Sequence, residues 1–309
     1  MTLVAEKGTE GFVAIPLGGL FDSRPLPFPL YLEGQGQRPP VLYCQEGSIF
    51  DNSRVQMLRK SGVRRLLLPA AARRQFWSRL EEGLDVLVRD ATIPMPDRAA
   101  ILQGTAHSVA EDLFTEQQPS REELRRAERV IHASTLLVVR DPSALLALRR
   151  VLGSGEELAG HSVNVAMLSI GLASVRSNVT PEWIAKIGLA GLLHDIGRVG
   201  FDLGEPKEDP AHCMRGKRQL EELGMPSEVV EAAALHHERE DGSGLPHGLR
   251  ENEIPFVAKV VGLVDVFDEL HTKHATRISL YDCLSIFARS YRGCFDEKMM
   301  RAFIMMFRS

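Results

Sequence analysis

An adjacent His194-Asp195 pair is followed further along the chain by an adjacent His236-His237 pair. Three imidazoles and a carboxylate arranged in two tight pairs make most chemical sense if the pairs meet in space. Any fold open to this chain therefore has to bring these two stretches together. Eight of the ten histidines lie beyond residue 160, so the chemistry is concentrated in the C-terminal half. His161, His194, His212, His236 and His237 all fall on or beside segments that carry helical signals.

Those signals are dense from Asp97 onwards. Ser120-Arg-Glu-Glu is a capping box, and Asp141-Pro142, Thr180-Pro181, Asp209-Pro210, Ser227 and Ser279 are further helix starts. Upstream the pattern differs. Pro25, Pro27, Pro29 and Pro39-Pro40 punctuate short apolar runs such as Val41-Leu42-Tyr43 and Val63 to Leu68, which is strand and turn chemistry. Two helices are expected to interrupt it, one after Asp51-Asn52-Ser53 and one from Ala71 to Val88. The fold class is therefore α+β, a small mixed α/β N-terminal domain followed by an all-α bundle. The expected divisions are 1–118 for the first, 119–150 for a helical linker and 151–309 for the second.

Charge excludes one class of partner. The 37 basic and 41 acidic residues are mixed along the chain, so no basic stripe tracks a nucleic-acid polymer. Cys44, Cys213, Cys283 and Cys294 show no CxxC spacing, which fits reduced thiols better than a disulfide framework. No apolar run is long enough to span a bilayer and no leader pattern opens the chain, so a cytoplasmic protein is expected.

Neutral imidazoles and carboxylates are the donors that bind iron, manganese and zinc. Burying so many of them without an ion would be costly. Adjacent His and Asp side chains project in different directions, so the carboxylate of His194-Asp195 can bridge two ions while its neighbour binds one. His107, His132, His247, His271 and His274 are read as surface or rim residues.

At this point residues 151–309 resemble an HD-GYP domain, the branch of the HD phosphohydrolase superfamily that hydrolyses cyclic di-GMP. His161-Ser162 with Val165-Ala166 resembles the first ligand helix, and Gly191-Leu-Leu-His194-Asp195-Ile-Gly197 the HD motif. His212-Cys-Met-Arg-Gly216 resembles the segment giving the next histidine. His236-His237-Glu238 with Asp241-Gly-Ser-Gly244 resembles the double-histidine motif, and Val264-Asp265-Val-Phe-Asp268 the helix of the closing aspartate. The resemblance implies two divalent ions, iron first, with manganese or zinc as alternatives. His161, His194, Asp195 and Asp265 would hold one, and Asp195, His212, His236 and His237 the other. It further implies attack on a phosphodiester by a hydroxide bridging the pair. Glu157 is a third-metal ligand by the same resemblance, or the closing residue of a Ser154-Gly-Glu-Glu157 capping box. Glu238 and Asp241 are expected to orient histidines, or Asp241 to form a turn.

Three departures fall on the substrate side. Gly244-Leu245-Pro246 replaces Gly-Tyr-Pro, Arg198 replaces the lysine that resembles a phosphate contact, and His274-Ala275-Thr276 stands where Arg-Pro-Tyr is usual, with Arg277 retained as a substrate contact. The expected function is a metal-dependent phosphodiesterase acting on cyclic di-GMP or a related nucleotide, with weakened activity. The alternatives are a metal-loaded signalling module that binds a nucleotide or protein without turnover, and an HD-type hydrolase of another phosphate ester. A protein partner is expected to act through the N-terminal domain, and a homodimer contact through the 119–150 helices.

Overall fold

In the computed structural model, residues 11–20, 24–34, 38–115, 118–151, 157–176, 179–200, 210–274 and 277–307 are described. The Gly- and Pro-punctuated N-terminal stretch forms β1 (Phe12–Pro16), β2 (Leu30–Leu32) and β3 (Val41–Cys44). Then come α1 (Asn52–Lys60), β4 (Arg65–Pro69), α2 (Arg73–Glu82) and α3 (Leu84–Arg89). The sheet order is β1-β4-β2-β3, antiparallel throughout, with Leu66, Leu67 and Leu68 opposite Ile15, Ala14 and Val13. Asp51 caps α1 by accepting from the Arg54 amide. The helix expected over Ala71–Val88 is broken at Gly83, whose amide turns back to the Leu80 carbonyl and separates α2 from α3.

The rest of the described chain is helical: α4 (Met95–Thr115), α5 (Arg121–Arg140), α6 (Ser143–Val151), α7 (Leu158–Ser174), α8 (Pro181–Leu193), α9 (Ala211–Glu222) and α10 (Ser227–Leu235). It closes with α11 (Phe256–His274), α12 (Leu280–Ser290) and α13 (Glu297–Met305). The capping box before α5 forms in full: Glu123 donates its amide to Ser120 Oγ at 3.2 Å, and Glu123 Oε2 accepts from the Ser120 amide at 2.7 Å. Thr180 and Ser279 cap α8 and α12. Ser227 is the first residue of α10 and Pro226 its cap. Asp209 lies outside the described residues.

The 119–150 stretch, expected as a helical linker, is helical and packs against elements on either side of it. Along α5 Leu124, Ala127, Val130, Ile131, Ala133, Leu137 and Val138 are buried, and the helix packs on α4, α7 and α8. Arg126 fastens it to the N-terminal half by pairing with buried Glu81 of α2 and with Asp112 of α4, at 2.7 and 2.8 Å. One hydrophobic core runs from Ile15 through to Met306. Among the described residues no helix is long and apolar enough to cross a membrane.

Helix α7 is the centre of the bundle. Every residue from Ala159 to Ala173 is buried, so its polar members His161, Ser162 and Asn164 face other protein groups. Two glycines set how closely the neighbouring segments approach. A Cβ on Gly197 would stand 2.1 Å from the His212 carbonyl oxygen, and one on Gly262 2.2 Å from that of His236. Only hydrogen fits at these positions, so the turn after Asp195 lies directly on α9, and α11 directly on the end of α10.

Candidate metal centre

Five segments deliver the side chains. His161 comes from α7, and His194 and Asp195 from the end of α8 and the turn that follows. His212 comes from α9, His236 and His237 from the end of α10, and Asp265 from α11. All seven residues come together, and all but His237 are buried outright. Rings pack edge to face, with centroids 5.2 Å apart for His161 and His194 and 4.9 Å for His194 and His236.

Hydrogen bonds at the outward nitrogens aim the inward ones. His161 Nδ1 lies 2.8 Å from Asp268 Oδ2, whose other oxygen accepts from Asn164 Nδ2 at 3.0 Å. His194 Nδ1 meets the Gly191 carbonyl at 2.8 Å, and His236 Nδ1 the Ala232 and Ala233 carbonyls at 3.1 Å. Each of these imidazoles therefore presents Nε2 to the interior, the arrangement that fixes tautomer and ring orientation at metal sites. His161 Nε2 lies 3.1 Å from Asp265 Oδ1, and His194 Nε2 3.7 Å from both Asp195 Oδ2 and Asp265 Oδ1. On the other side Asp195 Oδ1 lies 3.2 Å from His212 Nε2 and 3.6 Å from His236 Nε2.

The carboxylates are held ionised. Burial pushes Asp195 up, but His194, His212, His236 and Arg198 outweigh it and keep the group well below its ordinary range. Burial opposes ionisation of Asp265 as well, and His161 and His194 reverse it. His236 is kept neutral by burial and by its neighbours His237 and His194, and burial takes His237 down to about 4 although Asp265 pulls the other way. His161 is held well above its usual value, because Asp265 and Asp268 outweigh its burial. The ionised carboxylates and the neutral His236 and His237 are in the protonation states a metal needs, whereas His161 would give up its proton on binding one.

A sharper test of fit is hydrogen bonding. His161 Nε2, His194 Nε2, Asp195 Oδ1 and Asp265 Oδ2 are buried, and none has a hydrogen-bond partner. Buried polar atoms are nearly always satisfied, and a cluster of four lone-pair donors facing one another is what a divalent cation would satisfy at once. The donor set fits two ions, with Asp195 offering one oxygen to each side.

Other expected site residues lie elsewhere. Arg198 donates Nε to Asp195 Oδ2 at 2.7 Å, and its side chain is only 16% exposed, so it works first as a clamp on that carboxylate. Glu157 is exposed, and it is the cap residue of α7 rather than a member of the cluster; Ser154, the start of the alternative capping box, lies outside the described residues. Glu238 does not orient a histidine. It is buried and accepts from the His247 and Leu249 amides at 2.6 and 2.8 Å, tying down the loop that carries Gly244-Leu245-Pro246. Asp241 accepts from the amide and hydroxyl of Ser243, the turn-forming alternative. Leu245 donates its amide to the His237 carbonyl and turns its side chain to solvent, 44% exposed. Arg277 is exposed, and Ala275 and Thr276 lie outside the described residues.

Two residues at the centre have no site role in the sequence reading. Asp268 sits three positions after Asp265 on α11, hence on the same helical face, and that spacing is the signal that could have identified it. Cys213 follows His212 directly and is fully buried, with Sγ 3.4 Å from His212 Nε2. Burial, reinforced by the Asp195 carboxylate, pushes its thiol up to about 12.

The HD domain family matches residues 143–287, which include all seven converging residues. A cyclic di-GMP phosphodiesterase of Pseudomonas aeruginosa is 32% identical over 225 residues, covering 67% of this chain and 53% of that protein. Residues 143–287 are an HD domain of the HD-GYP type. A 3'3'-cGAMP-specific phosphodiesterase of Vibrio cholerae is 29% identical to the chain over 135 residues, 40% of this chain and 29% of that protein. The HD-GYP type chain thus spans about half, or less, of the length of these relatives. In fold it is similar to an HDG"Y"P protein from Bdellovibrio bacteriovorus, with a TM-score of 0.69 over 96% of this chain and all of that one, at 20% identity.

The Asp268 contact gives a direct expectation. Asp268→Asn keeps the shape but leaves one oxygen for two donors, His161 Nδ1 and Asn164 Nδ2. Metal affinity at the His161 side should fall about 10- to 100-fold, as for other partners of ligating histidines. Competition with a fluorescent chelator measures it, and unchanged affinity would remove Asp268 from the site.

Proposed function

We propose that this chain is a metal-dependent phosphodiesterase that opens cyclic di-GMP or a related cyclic dinucleotide at a binuclear centre. The observation that carries this reading is the convergence of His161, His194, Asp195, His212, His236, His237 and Asp265, with four of their inward atoms unsatisfied. His161, His194, Asp195 and Asp265 would hold one divalent ion, and Asp195, His212, His236 and His237 the other. Iron is the first expectation for an imidazole and carboxylate set, then manganese or zinc. Such a pair supplies a water of lowered pKa and neutralises charge on the phosphate oxygens.

The protein's own part is positioning. Arg198 clamps Asp195 Oδ2 so that Oδ1 faces His212 and His236. Asp268 holds His161 through Nδ1, and Glu238 fixes the loop beside His237. The relatives named as acting on cyclic di-GMP and on cGAMP support a cyclic dinucleotide as substrate.

The second reading, a module that binds without turning over, is favoured by one feature. The substrate edge offers a solvent-facing Leu245 and an arginine already paired with Asp195, where a tyrosine and a lysine are usual for the type. Binding energy that orients a substrate is what makes a reactive centre an effective catalyst, so these changes should cost turnover more than metal loading.

One experiment separates the readings. Metal-replete protein prepared without oxygen is incubated with cyclic di-GMP and with 3'3'-cGAMP, linear product is followed by chromatography, and binding by calorimetry. Linear dinucleotide is the expected product. Binding without product selects the module, and neither binding nor product rejects a cyclic dinucleotide and directs a panel of other phosphate esters.

A further inference from the structure

The second half of the centre contains a donor that an imidazole and carboxylate site does not call for. Cys213 is fully buried on α9, beside His212. One ligand atom from each of His212, Cys213, His236 and His237 lies within 4.8 Å of all the others. His212 Nε2 is 3.4 Å from His236 Nε2, 3.2 Å from His237 Nε2 and 3.4 Å from Cys213 Sγ. Bond lengths of about 2.05 Å to nitrogen and about 2.3 Å to sulfur define a zinc tetrahedron. Its edges are about 3.3 Å between nitrogens and about 3.6 Å from nitrogen to sulfur. The three separations, which all meet at His212 Nε2, agree with those edges to about 0.2 Å, and the remaining three lie within 4.8 Å.

A second observation points into the same space. Asp195 Oδ1 is buried without a hydrogen-bond partner, 3.2 Å from His212 Nε2 and 3.6 Å from His236 Nε2. The other donor groups, His161 with His194 and Asp195, and His194 with His236 and Asp265, offer only nitrogen and oxygen. The two halves therefore differ in softness, the property that sorts first-row metals between sites.

We propose that Cys213 is a ligand of the second ion, and that this half of the centre selects a thiophilic divalent cation such as zinc while the His161 half takes a harder one. The assignment rests on the binuclear reading above and adds a sulfur donor to it, so that Asp195 becomes a fifth donor to this ion, the coordination number to which zinc sites can expand. Coordination replaces the S–H bond by a metal–sulfur bond and releases one proton to solvent. Cys44, Cys283 and Cys294 belong to none of the donor groups among the described residues.

Cobalt(II) tests this on the full chain. Metal-stripped protein titrated with cobalt should develop visible d–d bands together with a near-ultraviolet sulfur-to-cobalt charge-transfer band. In Cys213→Ser the near-ultraviolet band should vanish while the visible bands persist, which also reports that the variant is folded; Cys294→Ser should keep both. Zinc affinity of Cys213→Ser should fall at least about tenfold, with manganese affinity at the His161 half unchanged. Visible bands without a Cys213-dependent near-ultraviolet band would overturn the sulfur ligand and leave the binuclear reading standing. Should Cys213→Ser lose the visible bands too, Cys213→Ala with unchanged circular dichroism decides the case: loss of the near-ultraviolet band supports the sulfur ligand, and its persistence overturns it. Folded wild-type protein that retains no cobalt would overturn both readings.

Discussion

Asp195→Ala is expected to abolish turnover and to lower bound metal from about two ions per chain to one at most. This carboxylate reaches both halves of the centre, with Oδ2 3.7 Å from His194 Nε2 and Oδ1 3.2 Å from His212 Nε2. A metal pair is worth several kcal/mol of charge stabilisation in phosphoryl chemistry, so losing the shared ligand should cut the rate on the order of a thousandfold or more. The substitution also takes the 2.7 Å carboxylate partner from Arg198, a largely buried guanidinium. Asp195→Asn is the control, since an amide oxygen can still accept from Arg198 while offering a poorer ligand. Elemental analysis and product chromatography read the two outcomes separately. If Asp195→Ala keeps both ions and its rate, Asp195 does not bridge.

The parts of this centre differ in how far the sequence reveals them. Helix starts at Ser120, Thr180 and Ser279 form as their chemistry dictates, because a cap is a local bargain between one side chain and one or two amides. The converging histidines and aspartates are legible for a different reason, since so many costly donors are hard to place anywhere but together. Second-layer contacts are less local. Glu238 is spoken for by the His247 and Leu249 amides, a demand created by the loop's path and not by any residue spacing. Asp268 could have been read from its place one turn beyond Asp265, but a buried carboxylate acquires its role only once α7 brings His161 and Asn164 against it. Cys213 is hidden most thoroughly. Neighbours on a helix diverge by about 100°, so adjacency to His212 suggests separation, and the 3.4 Å approach of its sulfur to His212 Nε2 depends on side-chain conformation that spacing does not encode.

Removing the ions should lower thermal stability by a margin large enough to see in a single melting curve. An ion that binds the folded chain at a thousand times its dissociation constant stabilises it by about 4 kcal/mol. In a domain of this class each kcal/mol moves Tm by about 2–4 °C. Chelation of one such ion should therefore lower Tm by about 8–16 °C, and loss of both by more. The chain should remain folded at room temperature, because the core from Ile15 to Met306 is built without the site and α7 is buried along its whole inner length. What is lost is specific: His161 Nε2, His194 Nε2, Asp195 Oδ1 and Asp265 Oδ2 are buried with no hydrogen-bond partner, and an ion would offset the cost of burying them together. Re-addition of metal should restore Tm, and Asp195→Ala should melt near the chelated wild type and respond little to metal. A wild-type Tm indifferent to chelator and to added iron, manganese or zinc would mean that these four atoms are not metal ligands, and the phosphodiesterase reading would fall with them.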